Sequence, residues 1–212
     1  MNRVAFIVDG FNLYHTLKRA NQPPHNKHCR WLDLSTLCRN CLPTIGKNTQ
    51  LADIHYISAL AVHLQRTKPG VTFRHEQYIR CLKDSGVQVL LNRFKKKSVW
   101  CNNCKTTILK HEEKETDVML ATTLFELFHK NLCDTAVLVT GDTDLVPAVN
   151  TGKKLFPEKN IIFAFPFGTQ TKEMKALAPG SFTLSPEAYV KAQFPNPYLL
   201  ADGSSIAKPA QW

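Results

Sequence analysis

An α/β fold, with a mostly parallel central sheet of about five strands covered by helices on both faces, is predicted by three observations. Strand-like and helix-like segments alternate along the chain, as they do when crossover helices join parallel strands. The strand candidates are continuous β-branched and apolar runs, the pattern of strands buried on both faces. Carboxylates directly follow two of these runs, where an open sheet of this kind binds ligands beyond the carboxyl ends of its strands.

Val4-Ala5-Phe6-Ile7-Val8 is the first such run and ends at Asp9-Gly10. A helix-like stretch follows to about Ala20, then a loop rich in Pro, His and Asn over residues 21–30. Leu34, Leu37, Cys38, Cys41 and Leu42 have helical spacing. Ala52 to Ala61 reads as a second strand, 72–84 as a helix stopped by Gly86, and Val87 to Leu91 as a third strand. Residues 94–110 are less regular: two basic or β-prone stretches flank Cys101-Asn-Asn-Cys104, which suggests a hairpin or an extended excursion. An amphipathic helix over 115–131 buries Val118, Leu120, Ala121, Leu124, Phe125 and Phe128. Ala136 to Val139 is a fourth strand, broken by Gly141. Leu145 to Lys154 is a helix that tolerates Pro147 in its first turn, and Asn160 to Phe165 is a fifth strand. One or two short helices and a short strand near Phe182 complete a domain over residues 1–192, with 193–212 expected as a loose tail.

Composition bounds the function. The chain has 212 residues, 43% apolar, 21% charged and 9% aromatic, which excludes disordered and fibrous classes. No apolar run reaches the roughly 18–20 residues that span a bilayer, so no membrane partner is expected. The N-terminal stretch lacks the apolar core and cleavage site of a signal peptide. Seven Cys, an odd number, read as free or metal-binding thiols of a cytoplasmic protein. Lys plus Arg is 27 against 17 for Asp plus Glu, a net charge of +10 that suits a polyanionic partner, RNA or DNA, while composition alone leaves a basic soluble protein with no nucleic-acid role equally open. Arg93 to Lys110 holds six basic residues and no acid.

Asp9 follows the first strand; Asp142 and Asp144 follow the fourth; Asp117 sits near the start of the preceding helix. If the first and fourth strands are neighbours, the four carboxylates converge. Anions so close together need a counter-charge, and oxygen ligands with room for water suit Mg²⁺ or Mn²⁺. Asn12, about one helical turn on, can present its amide to the same place, and Gly10 allows a tight turn and the approach of a bulky anion. Taken singly, each Asp has a structural reading: Asp9, Asp142 and Asp144 as helix caps, and Asp117 as a favourable charge in a first turn.

The stretches VAFIVDGFNLYHTL, HEEKETDVMLATTLFEL and DTAVLVTGDTDLVPAVN resemble the NYN domain family, and more narrowly its LabA-like branch among the PIN-like ribonucleases, from about Arg3 to Gly168. The resemblance implies a three-layer α/β/α, Rossmann-like domain and metal-dependent RNA cleavage. It assigns metal-site roles to Asp9, Asp117, Asp142 and Asp144. Asn12 matches the Asn of the first motif, and Glu113-Lys114 the Glu-Lys pair with a substrate-contacting or supporting role. The same branch carries a Cys-x-x-Cys before that pair.

The expected reaction is hydrolysis of RNA by metal-activated water, endonucleolytic and leaving a 5′-phosphate and a 3′-hydroxyl. Thr140 is expected to lend a hydroxyl to the site. Arg93, Lys95, Lys96, Lys97, Lys105 and Lys114 are expected to follow the sugar-phosphate chain, with Phe94 and Trp100 stacking on bases; the alternative is a solvated basic face with buried rings. Cys101 and Cys104 have zinc-knuckle spacing but make half a site, which His111, Cys81 or a loop residue would complete; the alternative is a turn with two free thiols. Cys38 and Cys41 fall on an apolar helical stripe and read as core. Three competing functions are weighed. A haloacid-dehalogenase-type phosphatase needs a second Asp where Phe11 stands. A nucleotide-binding module needs a Gly-rich phosphate motif that is absent. A catalytically idle RNA-binding or regulatory protein would gain nothing from four carboxylates.

Overall fold

A computed structural model describes residues 1–25, 28–178 and 180–212, and of Lys110 and Glu113 the backbone alone. The chain folds as β1 (Asn2–Asp9), α1 (Gly10–Ala20), α2 (Leu34–Ile45), β2 (Thr49–Ala59), α3 (Val71–Asp84), β3 (Gln88–Cys101), β4 (Thr106–Lys114), α4 (Thr116–His129), β5 (Thr135–Val139), α5 (Val146–Leu155), β6 (Asn160–Phe165), α6 (Lys172–Leu177), β7 (Phe182–Thr183), α7 (Pro186–Lys191), β8 (Tyr198–Leu199) and β9 (Ser205–Ile206), with 3-10 turns at Val62–Leu64 and Thr143–Leu145. The main sheet has the order β4-β3-β2-β1-β5-β6-β7, all parallel except the β3–β4 pair.

β1 lies at the centre, and its side chains show why the runs are continuously apolar. Val4, Phe6 and Val8 pack into one core with α1, α2 and α3, while Ala5 and Ile7 pack into the other with α4, α5 and α6. With a side-chain period of two, a strand covered on both faces must be apolar at every position. Each fully buried aliphatic or Phe side chain contributes about 1.5–3 kcal/mol relative to exposure. The helix ends follow ordinary chemistry. Gly86 at φ 88° follows α3, and the amide of Val87 bonds back to the carbonyl of Leu82, a left-handed cap that Gly forms without a Cβ clash. Pro147 stands in the first turn of α5, and Cys38 and Cys41 are buried in the core face of α2.

The mixed α/β architecture with a mostly parallel sheet matches the expectation, but the sheet has seven strands rather than five. β3 is one continuous strand. Gln88–Asn92 pairs with β2, and the chain then continues past the end of β2 as Arg93–Cys101, paired with β4 in a two-stranded arm. The hairpin expected around Cys101 and Cys104 is this arm; its continuity with the third strand is not legible in the sequence, because the arm has no fully buried face to enforce alternation. The segment expected as a loose tail is packed instead. Leu200 and Ile206 are buried, Asp84 accepts from the Tyr198 hydroxyl and the Ala201 amide, both at 2.8 Å, and the Trp212 ring lies on Trp31 and Tyr78. These apolar residues are separated by turn residues and so show no period. Among the described residues no helix is long and apolar enough to cross a membrane.

Candidate active site

Chain order reverses between β1 and β5: one half of the sheet grows outward through β2 and β3, the other through β6 and β7. At such a switch point a crevice opens beyond the carboxyl ends of the two strands. Val8 of β1 pairs with Val139 of β5, so the next residues, Asp9 and Thr140, emerge side by side.

Asp9 caps α1, its Oδ1 accepting from the Asn12 amide at 2.9 Å, while its Oδ2 accepts from the Thr140 hydroxyl at 3.0 Å. Thr140 Oγ1 in turn accepts from the Asp142 amide at 3.1 Å, and Asp142 Oδ1 from the Asp144 amide at 3.0 Å. The capping role therefore holds for Asp9 and Asp142, and the same bonds fix both carboxylates at the crevice. Asp9 is 4% exposed, and burial pushes its pKa up to about 6 against the pull of the Asn12 amide and the Thr140 hydroxyl; the charges of Asp142 and Asp117 push it the same way as burial. Burial first, then Asp142 and Asp144, raises the pKa of the more exposed Asp117. The four carboxylates thus repel one another, and among the described residues no Lys or Arg is ion-paired with any of them.

The donor chemistry fits a hard divalent cation: among the described residues the carboxylate oxygens have no paired Lys or Arg, and the buried Oδ1 of Asn12, in the first turn after Asp9, has no hydrogen-bond partner. The set is open rather than a cage. Among the described residues no three His, Cys, Asp or Glu stand together as a ligand group. Mg²⁺ characteristically takes one or two carboxylates, several waters and substrate phosphate oxygens, so an open set suits it better than it suits zinc.

Two glycines shape the crevice. A Cβ on Gly10 would lie 2.6 Å from Tyr56 Cζ and 2.8 Å from Ser58 Cβ, so this residue lets α1 sit directly on β2, and its expected role in admitting a bulky anion is replaced by helix–sheet packing. A Cβ on Gly141 would lie 2.6 Å from the Thr169 carbonyl oxygen and nearer still to its side chain. Asn92, which the sequence reading passed over, ties the sheet to the start of α4 through a 3.1 Å bond from its Nδ2 to Thr116 Oγ1, next to Asp117. A polar residue ending a β-branched run was its only signal.

The basic run is divided by the pleat. Arg93, Lys95 and Lys97 share one face of the arm, and acids from β4 and the β4–α4 junction meet them there. Glu115 pairs with Lys95 at 3.0 Å and Arg93 at 3.5 Å; Glu112 pairs with Lys97 at 2.9 Å and Lys114 at 3.0 Å. Three cations of the strip expected from sequence, Arg93, Lys95 and Lys97, are therefore engaged by two acids a hairpin away, and the arm keeps a net positive charge on this face. Lys96 is on the other face with Phe94 and makes no ion pair among the described residues; neither does Lys105. Phe94 is half-buried against Phe11 and His63, while Trp100 is 57% exposed near the tip. The side chain of Glu113 lies outside the described residues. At the tip, Cys104 is exposed with its Sγ 2.9 Å from Thr106 Oγ1, but the expected zinc partners are elsewhere: Cys81 is buried in the core and His111 stacks on His63. No third ligand joins the pair among the described residues.

A family model, that of the NYN domain, matches residues 3–185 of the chain. No curated protein matches. Among solved structures, the crystal structure of a protein of unknown function from Vibrio parahaemolyticus is similar in fold, with a TM-score of 0.59 at 14% identity, covering 87% of this chain and 93% of that one.

Proposed function

The chain belongs to the NYN domain family, a family of PIN-like nucleases, and from that premise we propose that it is a metal-dependent endoribonuclease whose site is the crevice between β1 and β5. The observation that carries the proposal is the buried Asp9 carboxylate, held at both oxygens and repelled by Asp142 and Asp117, with no Lys or Arg paired to it among the described residues. The chemistry needs that arrangement. A phosphodiester is an anion that resists attack by water, and a bound Mg²⁺ or Mn²⁺ neutralises phosphate oxygens and lowers the pKa of water.

Asp9 and Asp142 would hold the cation, with Asn12 Oδ1 in reach of the same crevice. Asp117 would orient the attacking water, and Asp144 supports Asp142 by donating its amide. Thr140 holds Asp9 and the Asp142 amide at once, so both carboxylates keep their positions without reorganising as charge develops. Lys96 and Lys105, without an ion pair among the described residues, would meet the sugar-phosphate chain, with Arg93, Lys95, Lys97 and Lys114 recruited as RNA displaces Glu112 and Glu115. The motif order and the Cys101-x-x-Cys104 spacing support reading the chain as a LabA-like member, and cysteines that form no disulfide among the described residues suit a reducing cytoplasm. In an RNA cleavage assay with Mn²⁺, Asp142→Asn is expected to lose at least about a hundredfold in rate, by analogy with loss of an electrostatic stabiliser. Retained cleavage would end the proposal. The open ligand set favours one second reading, a protein that binds RNA without cutting it, and the same assay on the wild type separates the two.

A further inference from the structure

Beside the carboxylates, on the α1–α3 face, lies a cavity of about 420 Å³, within the range of small-molecule sites. None of the four site Asp lines it; it meets them through Gly10 and Phe11, which directly follow Asp9. Its lining includes the rings of Phe11, Tyr14, Phe94 and Trp212, with His63 stacked on His111 at 4.2 Å and 9°. Four cations, Lys18, Arg30, Lys68 and Arg74, line it, and among the described residues no Asp or Glu side chain does. Burial lowers the pKa of His75 to about 4 and, with Lys18 and Arg19, lowers that of His15, so both are neutral rings able to donate and accept. His63 Nδ1 is buried there without a hydrogen-bond partner.

We propose that this cavity is a nucleobase pocket, which takes one unstacked base of the RNA next to the phosphodiester presented to Asp9. Rings offer stacking partners, His63 Nδ1 a buried ring nitrogen with no hydrogen-bond partner among the described residues, and the surrounding cations a match for the attached phosphates. A base can enter only if unpaired, so the pocket restricts the substrate to single-stranded RNA. The proposal rests on the nuclease reading for its substrate, but base binding needs no metal and no cleavage, and this separates the two in the test.

The full chain in EDTA is titrated by calorimetry with nucleoside 5′-monophosphates, ribose 5-phosphate and inorganic phosphate. Saturable binding of at least one nucleotide is expected, at least tenfold tighter than ribose 5-phosphate, and weakened at least tenfold by His63→Ala and by Arg74→Gln. Thermal melts confirm that each variant is folded, and a variant that fails to melt cooperatively is replaced by Lys68→Ala, of which the same tenfold weakening is expected. Absence of saturable binding, equal affinity for ribose 5-phosphate or phosphate, or folded variants that bind as the wild type does would overturn the pocket. RNA cleavage without nucleotide binding would leave the nuclease and remove the pocket; nucleotide binding without cleavage would do the reverse. With a labelled oligonucleotide and Mn²⁺, cutting of the single strand at least tenfold faster than of its duplex is expected, and equal rates would also count against the pocket.

Discussion

The hydroxyl of Thr140 donates to Asp9 Oδ2 at 3.0 Å, and its oxygen accepts the Asp142 amide at 3.1 Å, so one buried side chain joins the ends of two neighbouring strands and aims the first carboxylate. Thr140→Val keeps the shape and removes both bonds. A loss of about 1–3 kcal/mol in unfolding free energy is expected, with RNA cleavage reduced and Thr140→Ser restoring most of it. Equal activity of the Val and Ser variants would show that the hydroxyl does not position Asp9.

The raised pKa of Asp9 makes stability depend on pH with a definite sign. A carboxyl that titrates near 6 when folded and near 3.9 when unfolded binds more proton in the folded state between those values. Stability therefore falls as pH rises through that window, and the penalty, on the order of 3 kcal/mol, is complete above it. In EDTA, Asp9→Asn is expected to exceed the wild type in urea unfolding at pH 7.5 and to match it near pH 3.5. A difference that does not vary with pH would contradict the burial argument.

Cation binding should relieve the same penalty. Mn²⁺ is expected to raise the melting temperature of the wild type at pH 7.5, with about 2.7 kcal/mol gained at a hundredfold excess over its dissociation constant, and to leave Asp9→Asn and Asp142→Asn nearly unchanged. Equal shifts in all three proteins would place the ion elsewhere.

Gly141 passes within reach of a backbone atom, which cannot swing aside as a flexible side chain does. Gly141→Ala is expected to destabilise by about 1–3 kcal/mol and to displace the Asp142 turn, lowering cleavage more than RNA binding. Thermal unfolding beside cleavage rates and binding would check both parts.

The ion pairs of the arm predict an inverted charge effect. Glu112→Gln and Glu115→Gln free Arg93, Lys95, Lys97 and Lys114, so RNA affinity should rise and its salt dependence steepen, with a slope change of about 0.7 per added phosphate contact on a single strand. Lys96→Ala should lower the slope by a similar amount. Binding measured from low to high salt by fluorescence anisotropy would settle the sign.

The sequence by itself determined the layered α/β scaffold, the burial of β1 on both faces and the order of the four Asp, because continuous apolar runs and helical periods are local patterns that burial enforces residue by residue. It also showed Asp9 and Asp142 to be capping candidates, since a cap is made within a few residues. Only the tertiary structure decided that β1 and β5 are neighbours, that Thr140 bridges their ends, and that Gly10 and Gly141 make room for Tyr56 and Thr169. It also paired Arg93, Lys95, Lys97 and Lys114 of the arm with Glu112 and Glu115 and folded the last residues against Trp31 and Tyr78. These are contacts between residues distant along the chain. No local periodicity encodes them, because their energy is gained only once the sheet has brought the two partners together.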